Sequence, residues 1–419
     1  MRRVVVTGLG VLTGLGVGTD FVWNRLISGA SGISAITKFD TEQFSSKIAG
    51  QIPRGDGEGE FNPETVFPAK ELRRMDDFIV YGVAAASEAL KDSGWVAETE
   101  EDALRTGVLT GSGIGGLQTI TENTILLKEQ GARRVSPFLI PSLIINMLSG
   151  QISVKYGFRG PNHAVVTACA TGTHAVGDAY RMIALGDADV MVTGSAENAV
   201  CPIAFAGFCQ ARALSTHYND APQKACRPWD KGHDGFIMAE GAGALVLEEY
   251  EHAKKRGAKI YAEVAGYGLS GDAHHMTAPR PDGSGAAYAV EQAMKHAGIA
   301  PREIDYINAH GTSTGAGDAA ELLAVRRAFG DHAYKLAMSS TKSATGHALG
   351  AAGSMEAVFC CKAIQTGVLP PTINLEDPID EAAGMNLVAN EAQERKVKTV
   401  MSNSFGFGGT NASLIFRAV

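Results

Sequence analysis

Cys169-Ala170-Thr171-Gly172-Thr173-His174-Ala175-Val176-Gly177 and Lys342-Ser343-Ala344-Thr345-Gly346-His347-Ala348-Leu349-Gly350 are the two stretches on which the reading of the fold turns. Each follows a strand-like run, Ala164–Thr167 and Leu336–Ser340, and each leads into a helix rich in small residues. Two such echoes so far apart point to two related halves meeting near residue 255, with 1–255 carrying the cysteine and 256–419 carrying two histidines. The competing reading is a coincidence between two Gly/Ala-rich helix starts. Outside the echo, short β-branched runs alternate with longer amphipathic segments. Arg3–Thr7, Thr106–Thr110, Val190–Thr193, Ala244–Leu247, Ile304–Ala309, Leu336–Ser340 and Thr399–Ser402 read as buried strands. Phe78–Ser93 and Ala287–Ala297 read as helices that stop near Gly94 and Gly298. Alternation of this kind predicts an α/β layered fold.

Composition fits that class. The chain has 419 residues, 45% hydrophobic and 20% charged, so a large core can be buried and extensive disorder is excluded. Glycine is the outlier, at 50 residues, which calls for many tight turns and close backbone contacts. With 37 basic against 45 acidic residues the net charge is −8, so nucleic acid is not expected as the main partner. Six cysteines, at 169, 201, 209, 226, 360 and 361, form no C-x-x-C pair, which leaves free thiols in a reducing cytosol rather than a zinc site or disulfides. No signal peptide is read, since Thr7-Gly8-Leu9-Gly10 breaks the opening apolar run, and the fold is expected to begin at residue 3. Phe138–Leu148 is too short to span a membrane. A soluble cytoplasmic protein is the expectation.

The chemistry concentrates in four places. Cys169 follows Val165-Val166-Thr167-Ala168, at a strand end running into a helix start, where the helix dipole should lower its pKa and favour the thiolate. The bland alternative is an inert buried cysteine. Among eleven histidines, His310 (Asn308-Ala309-His310-Gly311-Thr312-Ser313-Thr314) and His347 stand out, because each lies just past a strand end, where functional groups of α/β folds gather. A cysteine with two histidines can perform acyl transfer. Near the C-terminus, Ser402-Asn403-Ser404-Phe405-Gly406-Phe407-Gly408-Gly409-Thr410-Asn411 makes a poor core strand; a mobile loop is expected, with Phe407 as a swinging lid. Two other glycine strings, Gly8-Leu9-Gly10 and Gly111-Ser112-Gly113-Ile114-Gly115-Gly116, lack the spacing of a dinucleotide fingerprint.

In this order, Thr167-Ala168-Cys169, Asn308 to Thr314, Lys342 to His347 and Ser404 to Asn411 resemble the motifs of the β-ketoacyl-acyl carrier protein synthases, most of all the elongating synthase II type. The resemblance runs from residue 3 to 417. It implies the thiolase fold, two similar α/β halves in a five-layered αβαβα arrangement, and a homodimer. It also implies a decarboxylative condensation in fatty acid synthesis. Cys169 would take the acyl chain from acyl carrier protein, and the N–H groups of Cys169 and Phe407 would form the oxyanion hole. His310 and His347 would hydrogen-bond the thioester oxygen of malonyl-acyl carrier protein as it loses carbon dioxide. Lys342 would hold the local charge network with Glu356. Thr312 and Thr314 would bond the pantetheine arm, Phe405 would line the substrate site, and Ile114 would line the acyl pocket, where its rotation admits longer chains. No cofactor is implied; Asn308, Glu356, Ser402 and Asn403 can surround a structural monovalent cation in the family. Acyl carrier protein is acidic, and Lys70, Arg73, Arg74, Arg133, Arg134 and Arg212 match family positions that face it. The family usually has proline after Thr314; this chain has Gly315, which loosens that turn.

Rival readings differ at these same positions. Thiolases and chalcone-synthase-like enzymes replace one histidine with a second cysteine or an asparagine, and a non-catalytic chain-length partner lacks the nucleophile. A cysteine protease matches no local motif. A polyketide-type synthase or an unsaturated-chain specialist stays open.

Overall fold

The computed structural model describes residues 1–419. Its backbone is organised around one large sheet of eleven strands, ten of which form a continuous path that reads almost as its own mirror image. From one edge inward run Asn162–Val165, Thr106–Gly111, Val190–Glu197, Gly241–Glu249 and Val4–Thr13. From the other edge inward run Ala337–Ser339, Tyr306–Asn308, Thr399–Gly406, Thr410–Arg417 and Ala262–Gly271. In chain order each set is 3-2-4-5-1, the first three spatial neighbours parallel and the rest antiparallel. The two sets join only through Val5–Val6 against Ala262–Glu263, so the path folds over at that seam into two layers.

Helices fill the space between and outside those layers. Thr171–Leu185 and Ala352–Thr366, fifteen residues each, lie against each other in the middle, one on Val190–Glu197 and the other on Gly241–Glu249 and Thr399–Gly406. Asp77–Ser93 and Asn146–Tyr156 cover one outer face; Ser284–Ala297 and Gly315–Phe329 cover the other. Helix, sheet, helix, sheet, helix: five layers result. Strands buried on both faces need continuous apolar sequence rather than alternation. Val4–Thr13 meets that demand with all ten residues buried. Its Gly8 and Gly10 let helix Asp77–Ser93 lie directly on the strand, since a Cβ at either would sit 2.0 Å from the carbonyl oxygens of Ala89 and Ala85. That helix begins at Asp76, whose carboxylate accepts from the Phe78 N–H at 3.2 Å, and ends at a left-handed Gly94.

The central helix pair meets at two glycines. A Cβ at Gly172 would lie 2.4 Å from the Ser354 nitrogen, and one at Gly353 would lie 2.3 Å from Thr173 Oγ1. Around this crossing the hydroxyls bond reciprocally: Thr173 with Ser404 at 2.7 Å, and Ser354 with Ser195 at 2.6 Å. Each helix therefore holds a strand of the opposite half.

Two expectations change here and one holds. The echo is real as architecture, but its register differs: Cys169 corresponds to Gly350 and Gly172 to Gly353, each in or after a tight turn that opens on a left-handed residue, Ala168 at φ 49° and Leu349 at φ 46°. Lys342–Thr345 is a separate short helix before that turn. The glycine-rich C-terminal stretch is a hairpin rather than a free loop, because Thr399–Gly406 pairs along its whole length with Thr410–Arg417 and only Phe407–Gly409 form the turn. Phe138–Leu148 falls in two short helices, Leu139–Leu143 and Asn146–Tyr156, and no helix is long and apolar enough to cross a membrane.

Substituting Gly172→Ala should destabilise the protein by about 2 kcal/mol, the usual cost of overpacking a close contact. Urea denaturation followed by circular dichroism would show this as a lower midpoint at unchanged slope; an unchanged midpoint would mean the crossing is looser than described.

Candidate active site

Both echoes and the hairpin turn converge on one cavity of about 750 Å³. Ile114, Cys169, Arg212, His310, Thr312, Thr314, His347, Phe405 and Phe407 all line it, so most of the residues singled out in sequence share one space. Lys342 and Glu356 lie behind the wall, paired with each other and almost fully buried. Lys70, Arg73, Arg74, Arg133 and Arg134 lie outside it on the surface.

Cys169 is placed by a turn that local hydroxyls hold shut. Thr171 Oγ1 accepts from the Thr167 N–H at 2.9 Å and donates to the Ala168 carbonyl at 2.8 Å. His174, missed in the sequence reading, braces the same turn through Nδ1 against Thr167 Oγ1 at 2.7 Å. Thr410 of the hairpin donates to the Thr167 carbonyl at 3.1 Å, which locks the Phe407 turn to the nucleophile turn. The expectation of a thiol already lowered by the helix dipole does not hold: burial pushes Cys169 up to about 11. The Lys342 charge and the backbone N–H groups of Phe407 and Cys169 pull the other way without overcoming desolvation. Those two N–H groups nevertheless converge beside the sulfur, which is the placement an oxyanion hole requires.

The two imidazoles stand 5.4 Å apart, centroid to centroid, and nearly perpendicular. Phe405 packs edge-on against His310 at 5.8 Å and Phe236 against His347 at 5.4 Å. Burial, followed by the Lys342 charge, holds both rings well below the usual histidine value. Both are therefore neutral, and neither Nδ1 has a protein partner. The backbone at His310 is fixed by Glu321, which accepts from the N–H groups of His310 and Gly311 at 2.8 and 2.7 Å. Asp318 does the same for Ser313 and Trp229. Glu321 and Asp318 were not picked out in sequence; the visible signal is two acids, three apart, in a helix that starts right after the His310 motif.

Lys342 bonds Glu356, whose carboxyl burial pushes up to about 7 against the pull of that ammonium. Around this pair, Glu356 Oε2, Ser402 Oγ and the side-chain nitrogens of Asn308 and Asn403 have no partner. Asn308 and Ser402 are directly opposed on neighbouring strands.

Folded this way, the chain is a two-fold-repeated α/β protein with one cavity, lined by a cysteine and two histidines, between its repeated sets of strands. Family models agree with the geometry: "Beta-ketoacyl synthase, N-terminal domain" matches residues 1–253 and "Beta-ketoacyl synthase, C-terminal domain" matches 261–376. The chain belongs to the β-ketoacyl synthase family. It is 56% identical over 418 residues to 3-oxoacyl-[acyl-carrier-protein] synthase 2 of Rhizobium meliloti (strain 1021), covering 100% of this chain and 99% of that one. It is 52% identical to the mitochondrial 3-oxoacyl-[acyl-carrier-protein] synthase of Arabidopsis thaliana, covering 100% and 94%. Among solved structures, a β-ketoacyl synthase from Burkholderia phymatum superposes with a TM-score of 0.91 at 36% identity, covering 100% of both chains. A type II polyketide ketosynthase complexed with its acyl-carrier protein and bound to a hexaketide superposes at 0.90 and 33% identity, covering 100% and 99%. The shared architecture is the thiolase-like ketosynthase fold.

Because both histidines are held below their unfolded value of 6.5, the folded state resists protons that the unfolded chain takes up. Their contribution to stability is full above pH 6.5 and is lost as pH falls below it. Thermal unfolding from pH 8 to 5 should show wild type losing stability faster than a His310→Asn, His347→Asn double variant; parallel curves would contradict the neutral assignment.

Proposed function

We propose that this chain condenses acyl-acyl carrier protein with malonyl-acyl carrier protein, as the synthase II type does, and releases a 3-oxoacyl-acyl carrier protein two carbons longer and carbon dioxide. The observation that carries the reading is one cavity holding Cys169, two neutral histidines and the Phe407 turn. The relatives' shared name supplies the carrier and the product class.

The geometry divides the work. Cys169 sulfur attacks the acyl thioester, the carbonyl oxygen goes negative against the N–H groups of Cys169 and Phe407, and the pantetheine thiol leaves. A thiol raised by burial gives up its proton during that attack and the departing pantetheine sulfur takes it, so the step depends on those donors rather than on a standing thiolate. The malonyl thioester then places its oxygen between His310 and His347. Its carboxylate C–C bond breaks, the electron pair passes to the α-carbon, and the developing enolate oxygen is held by two neutral donors. That carbon attacks the acyl-Cys169 carbonyl and the sulfur leaves with its electron pair. Neutral rings suit this role: an imidazolium would also attract the carboxylate before it departs.

Thr312 and Thr314, bonded to each other at 2.9 Å along the cavity wall, serve the pantetheine arm in this reading. A second, mostly apolar cavity of about 290 Å³ shares Ile114, Phe208, Ala211 and Phe407 with the first, which supports an acyl pocket gated by Ile114 and Phe407. Lys342 and Glu356 act as the charge network behind the histidines. Beside them Glu356 and Ser402 present unpaired oxygens, while Asn308 and Asn403 present amide nitrogens and use Oδ1 for Thr341 and Ser413, so a monovalent cation there would need both amides turned. It would supply structural charge balance only.

Carrier docking is assigned to Lys70, Arg73, Arg74, Arg133, Arg134 and Arg212, which are exposed and take part in no ion pair. Arg74 lies 4.5 Å over the Phe138 ring, which brings the first cluster next to the segment carrying Arg133 and Arg134. We assign residues 1–255 and 256–419 as the two halves, a homodimer as the assembly and the cytoplasm as the compartment. The dimer is supported by the open strand Asn162–Val165 at the sheet edge and by the exposed Val166 that follows it.

Mass spectrometry of carrier-bound products tests the reaction. Wild type with a medium-chain acyl carrier and malonyl carrier should give the two-carbon-longer 3-oxoacyl product and Cys169→Ala none; His310→Ala or His347→Ala should slow malonyl decarboxylation by about a hundredfold or more. Reversing Arg73 and Arg74 to Glu should raise KM for the carrier roughly tenfold at low salt, with the difference shrinking as salt rises.

A further inference from the structure

Glu197 ends the strand Val190–Glu197 with a fully buried carboxylate that has no cation beside it. Everything bonded to it is a donor. Oε1 accepts from Ser112 Oγ at 2.7 Å and from the Ile114 N–H at 3.1 Å; Oε2 accepts from the Gly113 N–H at 2.7 Å and from the Gly350 N–H at 3.0 Å. The Gly115 N–H approaches Oε1 at 3.4 Å. An ionised carboxylate matches such a cage of donors, and those bonds oppose the upward push of burial on its protonation, whereas an amide nitrogen in either oxygen's place would aim a hydrogen at a backbone N–H.

The donors come from different parts of the molecule. Ser112 to Gly115 form the loop that carries Ile114, at the boundary of the two cavities. Gly350 belongs to the turn that mirrors the Cys169 turn in the other half. A Cβ at Gly113 would meet Glu197 Oε2 at 2.8 Å, the Gly350 nitrogen at 3.2 Å and the Ala168 carbonyl oxygen at 3.3 Å. This carboxylate therefore joins the loop of Ile114 to the mirror turn, and the turn of Cys169 packs against the same loop at Gly113. Cys169, Leu349 and Ile114 also share one apolar cluster just beyond it.

We infer that Glu197 is a positioning residue which ties the Ile114 loop to the paired turns, so that acyl-chain discrimination and the placement of Cys169 are set together by one buried anion. It touches no substrate atom. It acts through Ile114, whose backbone it holds, and through Gly350, which it fastens to the same loop. The inference rests on the acyl-condensing reading for its substrate class, and one of its readouts does not.

Glu197→Gln preserves size and removes the charge, and its amide nitrogen must face a backbone N–H. Two measurements follow in the full-length protein. The first is the ratio of kcat/KM for a long acyl carrier primer to that for a medium one, with decarboxylation of malonyl carrier in the absence of primer as the control. The ratio should shift roughly tenfold while primer-independent decarboxylation, which depends on His310 and His347, stays within about twofold. The second is the rate of Cys169 alkylation by iodoacetamide at fixed pH, which should change severalfold and requires no acyl substrate. Ser112→Ala removes one donor and should move both readouts in the same direction by less; it serves alone if Glu197→Gln does not fold. An unchanged chain-length ratio and alkylation rate overturn the inference, and so does an equal loss of all activities, which is what a merely structural role gives. Failure to condense any carrier substrate in wild type, with alkylation still altered in the variant, would instead remove the substrate class and leave the clamp in place.

Discussion

Everything in this molecule hangs on how closely two buried helices approach. Thr171–Leu185 and Ala352–Thr366 cross at Gly172 and Gly353, where neither glycine has room for a methyl group. Close-packed interiors transmit such a constraint rather than absorb it. The crossing sets the distance between the two halves, and the reciprocal hydroxyl bonds from Thr173 to Ser404 and from Ser354 to Ser195 set their rotation. The strand carrying Ser404 continues into Phe405 and the Phe407 turn, and the helix carrying Thr173 begins just after Cys169. The Cys169 thiol and the Phe407 N–H thus meet because the core is packed this way, although they are far apart in the chain.

A second constraint is electrostatic. The site keeps one cation, Lys342, sealed behind the histidines and bonded to Glu356. Its charge reaches Cys169, His310 and His347 without touching substrate, favouring the thiolate of the first and disfavouring protonation of the other two. Removing Lys342 from water is costly, and the pairing with Glu356 offsets part of that cost. One group thereby biases two different acid–base equilibria in the directions acyl transfer and enolate stabilisation each require.

The amino-acid sequence made the architecture readable where a physical rule is local. The strand Val4–Thr13 shows itself through its opening run Val4-Val5-Val6, although Thr7, Gly8 and Gly10 hid its full length, and the stops at Gly94 and Gly298 follow from the left-handed caps. Cys169, His310 and His347 were visible because each lies at a strand end. The register of the repeat was not, because Gly350 carries no side chain to mark it as the mate of Cys169. The thiol's raised pKa was hidden as well, since desolvation depends on walls supplied from distant segments. The hairpin at Phe405–Asn411 was obscured by its glycines, which weaken the strand pattern even where pairing is complete. Glu197 acts on backbone N–H groups drawn from distant segments, a role that leaves no trace in spacing.

The paired turns at Ala168 and Leu349 share a backbone bend that side-chain-bearing residues rarely adopt, yet only one of them carries sulfur. Its mate, with glycine in the equivalent place, spends its N–H on an internal carboxylate. Structural duplication has therefore not produced duplicated chemistry. One turn presents a thiol to the cavity, while its copy, fastened through Gly350 to Glu197, packs against it as a bracket.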